Sequence, residues 1–183
     1  ADGMHALLCR PRFQERKQEQ KSRFHALVES GFMVHWVAGP DLEGGDVVAY
    51  NGGAFLGTGF RSSRDSRHGL ERFIGGEVLP LELVDPRLYH LDMALSALRD
   101  GTLLVCREAF SAASFQEVRR AATGEVIAVS LQETLAFGLN CIEVEDTILC
   151  TGDAPGLATA LRKRNRKIAF VALDEFHRAG GGA

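Results

Sequence analysis

The feature that most constrains this chain is an order of predicted elements that keeps returning: strand, strand, helix, strand. Asp46–Tyr50 reads as a strand, Asn51-Gly52-Gly53 as a tight hairpin turn, and Ala54–Thr58 as the returning strand. Asp65–Ile74 then carries Leu70, Phe73 and Ile74 on one helical face. Gly75-Gly76 stops that helix, and Glu77–Leu83 is a third strand. The order returns with strands over Leu91–Leu98 and Thr102–Arg107 about the turn Arg99-Asp100-Gly101, a helix over Ser114–Ala121 and a strand over Val126–Val129. Ser114 with Glu117, and Ser130 with Glu133, have capping-box spacing; the second opens an extra helix to about Phe137. A third round follows: Cys141–Val144, a turn at Glu145-Asp146, Thr147–Cys150, a helix over Gly156–Lys163 and a strand over Lys167–Leu173.

A period of roughly 45–50 residues means arrays or propellers, because one such unit cannot bury its apolar face alone. The opening stretch supplies the tail of a further unit. Met4–Cys9 is a strand. Glu15–Ser30 is an amphipathic helix with Phe24, Leu27 and Val28 as its stripe and Gly31 past its end, and Phe32–Val37 is a strand. The expectation is one α/β domain over residues 1–183, incomplete at both ends: three complete ββαβ units, most of another, and a glycine-rich end whose following strand is missing.

Chemistry-bearing residues gather at unit boundaries. Tyr89-His90-Leu91-Asp92 opens one predicted strand, where residues two apart share a face, so His90 and Asp92 would serve one site. A neutral-pH acid/base beside a fixed anion suits a cationic substrate. Leu42-Glu43-Gly44-Gly45-Asp46 lies 47 residues upstream of His90, and Ala179-Gly180-Gly181-Gly182-Ala183 closes the chain.

Composition narrows the function classes. A formal charge of −3 argues against a general nucleic-acid binder. The basic cluster Arg162, Lys163, Arg164, Arg166 and Lys167 is read as complementing a helix C-terminus. No apolar run approaches the ~20 residues of a membrane span. The four cysteines, Cys9, Cys106, Cys141 and Cys150, have no CxxC spacing and read as buried free thiols of a reducing cytoplasm, with no zinc site. Trp36 is expected in the core or an interface.

Leu42-Glu43-Gly44-Gly45-Asp46-Val47, Gly59-Phe60-Arg61-Ser62-Ser63, Tyr89-His90-Leu91-Asp92, Phe137-Gly138-Leu139-Asn140 and Gly180-Gly181-Gly182 together resemble, in this order, the guanidino-group-modifying (amidinotransferase) superfamily. Its dimethylarginine dimethylaminohydrolase-like members are the nearest in likeness. The resemblance implies a pentein-type α/β propeller of five ββαβ modules, here without its N-terminal module and C-terminal closing strand. It implies a hydrolase that releases citrulline and an amine or ammonia from arginine or N-methylated arginine through a Cys-thiouronium intermediate. Transfer of the amidino group to an acceptor amine, or a nucleophile-lacking guanidino binder, are the alternatives. By resemblance His90 is the general acid/base, Glu43 the carboxylate that orients it, Asp92 and Asp46 substrate-binding carboxylates, and Arg61 the partner of the substrate's carboxylate. The family's nucleophilic cysteine follows the terminal glycine run, and none of the four cysteines stands at that place. A small guanidino substrate is the implied partner, with no cofactor, no metal, no nucleic acid and no membrane; a homodimer is left open.

Overall fold

Every sheet of the computed structural model is small, and each comes from one stretch of sequence; residues 4–37 and 39–178 are described. Strand β1 (His5–Leu8) is followed by helices α1 (Gln14–Lys17) and α2 (Glu19–Glu29), then strand β2 (Met33–Trp36), which lies parallel to β1 from His5↔Met33 to Leu8↔Trp36. The single predicted helix over 15–30 is thus two, broken at Gln18. The chain ends α2 with Gly31 at φ +86°, the Phe32 amide on the Leu27 carbonyl (3.0 Å) and the Gly31 amide on the Val28 carbonyl (2.9 Å). This is a Schellman closure, which needs a residue that tolerates the left-handed region.

Strands β3 (Val47–Tyr50) and β4 (Gly53–Thr58) form an antiparallel hairpin. Its turn holds Asn51 at φ +48° and Gly52 at φ +75°, the pair of positive angles that a two-residue type I′ turn requires. Helix α3 (Arg67–Ile74) crosses over to β5 (Val78–Glu82), parallel to β4. The same plan recurs in β6 (Leu95–Ala97), β7 (Leu103–Val105), α4 (Ala112–Ala121) and β8 (Val126–Ala128). After α5 (Leu131–Leu135) it recurs in β9 (Cys141–Val144), β10 (Thr147–Cys150), α6 (Pro155–Arg162) and β11 (Lys167–Phe170), with α7 (Asp174–Arg178) beyond. In each three-stranded sheet the middle strand of the unit is central, antiparallel to one neighbour and parallel to the other.

The core follows from the strand period. Along β4, Ala54 and Leu56 join a cluster with Leu42, Leu70 and Val78, while Phe55 points the other way into the main core with Leu81, Leu91 and Leu104. One strand therefore seals two apolar layers.

Some local expectations are corrected. Leu91–Leu98 does not begin as a strand: Leu91–Met93 is a 3₁₀ turn, and only Leu95–Ala97 pairs. The Leu91 amide is taken by the Asp46 carboxylate (3.2 Å), and the Ala94 amide returns to the Leu91 carbonyl (2.8 Å), so neither is free for a ladder. The cap of α4 is Ser111, whose Oγ accepts the Ser114 amide; Ser114 Oγ instead accepts the Glu82 amide at 2.8 Å and ties α4 to β5. Ser130 does cap α5, and its partner Glu133 reaches on to accept the Gly156 and Leu157 amides at the start of α6. Trp36 is 56% exposed and stacks on Phe24. In the basic cluster, Arg164 pairs with Glu125, Arg166 with Asp100 and Lys167 with Asp146.

Glu43 (φ −118°, ψ 143°) and His90 (φ −121°, ψ 150°) occupy equivalent places in consecutive units. Each is the extended residue before a 3₁₀ turn, Gly44–Asp46 or Leu91–Met93, which leads into the first strand of its unit. The two turns pack against each other beneath Gly57, where an added Cβ would lie 2.8 Å from Leu91 Cβ and 2.9 Å from Asp46 Oδ1. Gly57→Ala is therefore expected to cost about 1–3 kcal/mol by overpacking, read as a lowered urea midpoint with unchanged slope.

Candidate active site

The site is built where those two turns meet. Glu43 and Asp46 are both buried, and Ser62 joins them: its Oγ accepts the Glu43 amide at 2.9 Å and donates to Asp46 Oδ2 at 2.6 Å. Asp46 Oδ1 takes the Leu91 amide, so both carboxylate oxygens of Asp46 are engaged by protein donors. The sequence segment Gly59–Ser63 thus contributes a linker between two acids as well as Arg61.

His90 stands between these acids with its side chain 15% exposed. Nε2 lies 3.5 Å from Glu43 Oε2, and Nδ1 lies 3.3 Å from Asp46 Oδ1. Nδ1 is buried, and no donor or acceptor is aligned with it for a hydrogen bond. Asp92 reaches the same spot: a Cβ on Gly45 would fall 3.0 Å from Asp92 Oδ2 and 3.0 Å from His90 Cγ. The structure therefore brings His90 and Asp92 together, although by a 3₁₀ turn and not by the alternation of a strand. Burial pushes the Asp92 carboxyl up to about 6; the His90 ring opposes this and the Asp46 carboxylate adds to it.

Arg61 lies over the rim. Its guanidinium stacks on Phe13 at 4.7 Å and on Tyr89 at 4.5 Å from the ring centroids, and Nη1 is 3.4 Å from Glu43 Oε2. Two further arginines were not among the residues singled out from sequence. The Arg12 amide donates to Glu43 Oε1 at 3.1 Å, and Arg16 Nη1 donates to Glu43 Oε2 at 2.8 Å. Arg16 sits in α1, 27 positions from Glu43, and the only local signal was the four-residue spacing of Arg12 and Arg16. A cavity of about 180 Å³ opens here, lined by Cys9, Arg16, Glu43, Gly45 and His90. Asp92 lines a second cavity of about 340 Å³ between the first strands of the three units, with Ser96, Asn140 and Cys141. A larger cavity of about 490 Å³ between the β3–β4 turn and α4 is remote from this chemistry.

Among the described residues no cluster of three or more His, Cys, Asp or Glu side chains is arranged to hold a metal ion, and no helix is long and apolar enough to cross a membrane. The run Gly180-Gly181-Gly182 falls outside the described residues.

The repeated ββαβ frame sets a histidine among carboxylates, and similarity to known proteins narrows the class of protein to which such a frame belongs. No protein-family model matches the chain. It is 31% identical over 176 residues to N(G),N(G)-dimethylarginine dimethylaminohydrolase of Mycobacterium tuberculosis, covering 96% of this chain and 58% of that one. It is 33% identical over 187 residues to the bifunctional arginine dihydrolase/ornithine cyclodeaminase ArgZ of Synechocystis, covering 99% of this chain and 26% of that one. The crystal structure of the N-terminal domain of ArgZ bound to its product superposes with a TM-score of 0.91 at 30% identity, over 98% of this chain and 67% of that domain. The chain thus belongs to the family of dimethylarginine dimethylaminohydrolases and arginine dihydrolases. It spans little more than half the length of the mycobacterial relative, and about a quarter of ArgZ.

Ser62→Ala removes a donor from buried Asp46 and an acceptor from the Glu43 amide. The expected cost is about 1–3 kcal/mol, measured by urea unfolding; an unchanged midpoint would show that the bridge contributes nothing.

Proposed function

We propose that this chain is the guanidino-recognising core of a hydrolase that acts on arginine or N-methylated arginine and releases citrulline with ammonia or an amine. The observation that carries the reading is His90 held between the buried carboxylates Glu43 and Asp46, with Asp92 at its edge. The similarity to dimethylarginine dimethylaminohydrolase and ArgZ supports the same chemistry.

Each residue then has a job set by its surroundings. Asp92 takes the guanidinium N–H groups, a planar donor set that suits a carboxylate. Glu43 and Asp46 fix the ring of His90 from its two edges, and Asp46, with both oxygens already engaged, acts through that positioning. His90, its ring set between the two carboxylates, carries the moving proton: it protonates the departing amine, then takes a proton from the water that displaces the enzyme sulfur. Arg61, stacked on Phe13 and Tyr89 and loosely held by Glu43, is poised to turn to the substrate's carboxylate.

Covalent attack on a resonance-stabilised guanidinium carbon needs a thiolate. Cys9 borders the same cavity as His90, yet burial pushes its thiol up; nearby Arg23 opposes that and Glu43 and Asp46 add to it. That is the opposite of an activated nucleophile. The attacking cysteine in this reading belongs to the segment after the glycine run at 180–182. Four free thiols suit a reducing compartment such as the cytoplasm.

In the full chain, His90→Ala is expected to lower citrulline release from arginine or dimethylarginine by about 10²–10⁴-fold. A loss within about threefold would reject the role given to His90. A full chain that binds arginine without turnover would reject the hydrolase reading in favour of a guanidino binder.

The Asp92 carboxyl also sets a pH dependence. Its acid form is favoured in the fold, so its contribution to stability is present at low pH and is lost as pH rises through about 6. A bound guanidinium favours the carboxylate and expels that proton. Arginine affinity is therefore expected to strengthen as pH rises towards 6, by up to about tenfold per pH unit, and Asp92→Asn should flatten the curve. Calorimetry across that range in two buffers of different ionisation enthalpy measures the proton directly.

A further inference from the structure

The β9–β10 hairpin places two thiols opposite each other that the chemistry above does not use. Cys141 opens β9, Cys150 ends β10, and the two are register partners. The two-residue turn Glu145-Asp146 fixes the alternation of the ladder. Val144–Thr147, next to the turn, is a hydrogen-bonded pair, so Cys141–Cys150, three rungs further on, is a non-hydrogen-bonded pair. At such a pair the Cα atoms lie ~4.5 Å apart and the side chains approach most closely, inside the ~4.4–6.8 Å range that a disulfide spans.

The surroundings divide the two roles. Cys150 is fully buried, and its Sγ donates to the Gly138 carbonyl at 3.1 Å. Cys141 is half-buried, borders the cavity of about 340 Å³ and holds its Sγ 3.4 Å from Ser96 Oγ. A small oxidant therefore meets Cys141 first. The nearby Cys150 sulfur, with help from Ser96, outweighs burial and favours the Cys141 thiolate, while the nearness of Cys141 and burial push the Cys150 thiol up.

We infer that Cys141 and Cys150 are a peroxide-responsive dithiol that closes into a cross-strand disulfide. The Cys141 thiolate attacks one oxygen of hydrogen peroxide and expels hydroxide, giving a sulfenic acid. Cys150 sulfur then attacks Cys141 sulfur, the S–O bond breaks, and water leaves with the Cys150 proton. The two sulfurs together lose two electrons, and one peroxide becomes two waters. Closure costs the Cys150 contact to Gly138 and the Cys141 contact to Ser96. The first lies in the turn before β9 and the second on β6, four positions after Asp92.

The test uses the full chain, reduced, freed of reductant and treated with a small excess of hydrogen peroxide. It is then alkylated with N-ethylmaleimide in denaturant and digested with trypsin. No Lys or Arg falls between Arg120 and Arg162, so one peptide holds both residues. The expected result is that this peptide loses two hydrogens and both adducts, that dithiothreitol restores both adducts, and that Cys9 and Cys106 stay alkylated. Retention of both adducts after peroxide would overturn the inference, as would oxygen addition at Cys141 with Cys150 still alkylated. In Cys150→Ala, dimedone is expected to trap a sulfenic acid at Cys141, and its absence would overturn the order of attack. If that variant does not fold, the wild-type peptide mass decides alone.

Discussion

The structure around the site depends on keeping two carboxylates, Glu43 and Asp46, buried side by side at one 3₁₀ turn. Buried acids are costly unless every oxygen finds a donor. Here the donors come from elements far apart in sequence: the Arg12 amide and the Arg16 and Arg61 guanidinium groups on Glu43, and the Ser62 hydroxyl and Leu91 amide on Asp46. Satisfying those oxygens locks the first unit, the second unit and the opening segment to one another. The same contacts hold the ring of His90. Packing and chemistry are therefore not separable here: a change that frees either acid loosens the fold and the histidine together.

The repeat supplies the geometry. Because Glu43 and His90 are equivalent residues of successive units, the quasi-symmetry that packs the units side by side also brings a carboxylate and an imidazole face to face. Two extended residues, each leading into a 3₁₀ turn and then a first strand, converge on the line where β3 meets β6. The small residues have a matching purpose. Gly57 leaves room for Leu91 and Asp46 to meet, and Gly45 leaves room for His90 and Asp92.

Much of this was legible in the residues. The order of strands and helices, the hairpin at Asn51-Gly52 and the stop at Gly31 follow from local rules that act within a few positions, and the order of motifs pointed to the right family. Family membership rests on similarity over nearly the whole chain. What was not legible came from contacts across the chain. The segment from Leu91 reads as a strand by composition, but the Asp46 carboxylate, 45 positions away, captures the Leu91 amide and bends it into a turn. Ser114 reads as a helix cap, but the Glu82 amide claims its hydroxyl, and Ser111 caps in its place. Arg16 reads as one charge on a polar helix; only the fold-back of the opening segment shows that it reaches Glu43.

The central claim is that the carboxylates around His90 recognise a guanidinium by its charge and its N–H pattern. The most direct measurement is calorimetric titration of the full chain with L-arginine and, separately, with L-citrulline, which has nearly the same shape but a neutral urea group. The account predicts saturable arginine binding, citrulline weaker by at least about tenfold, and loss of that preference in Asp92→Asn. Equal affinity for the two, or a preference that survives the loss of the Asp92 carboxylate, would contradict it.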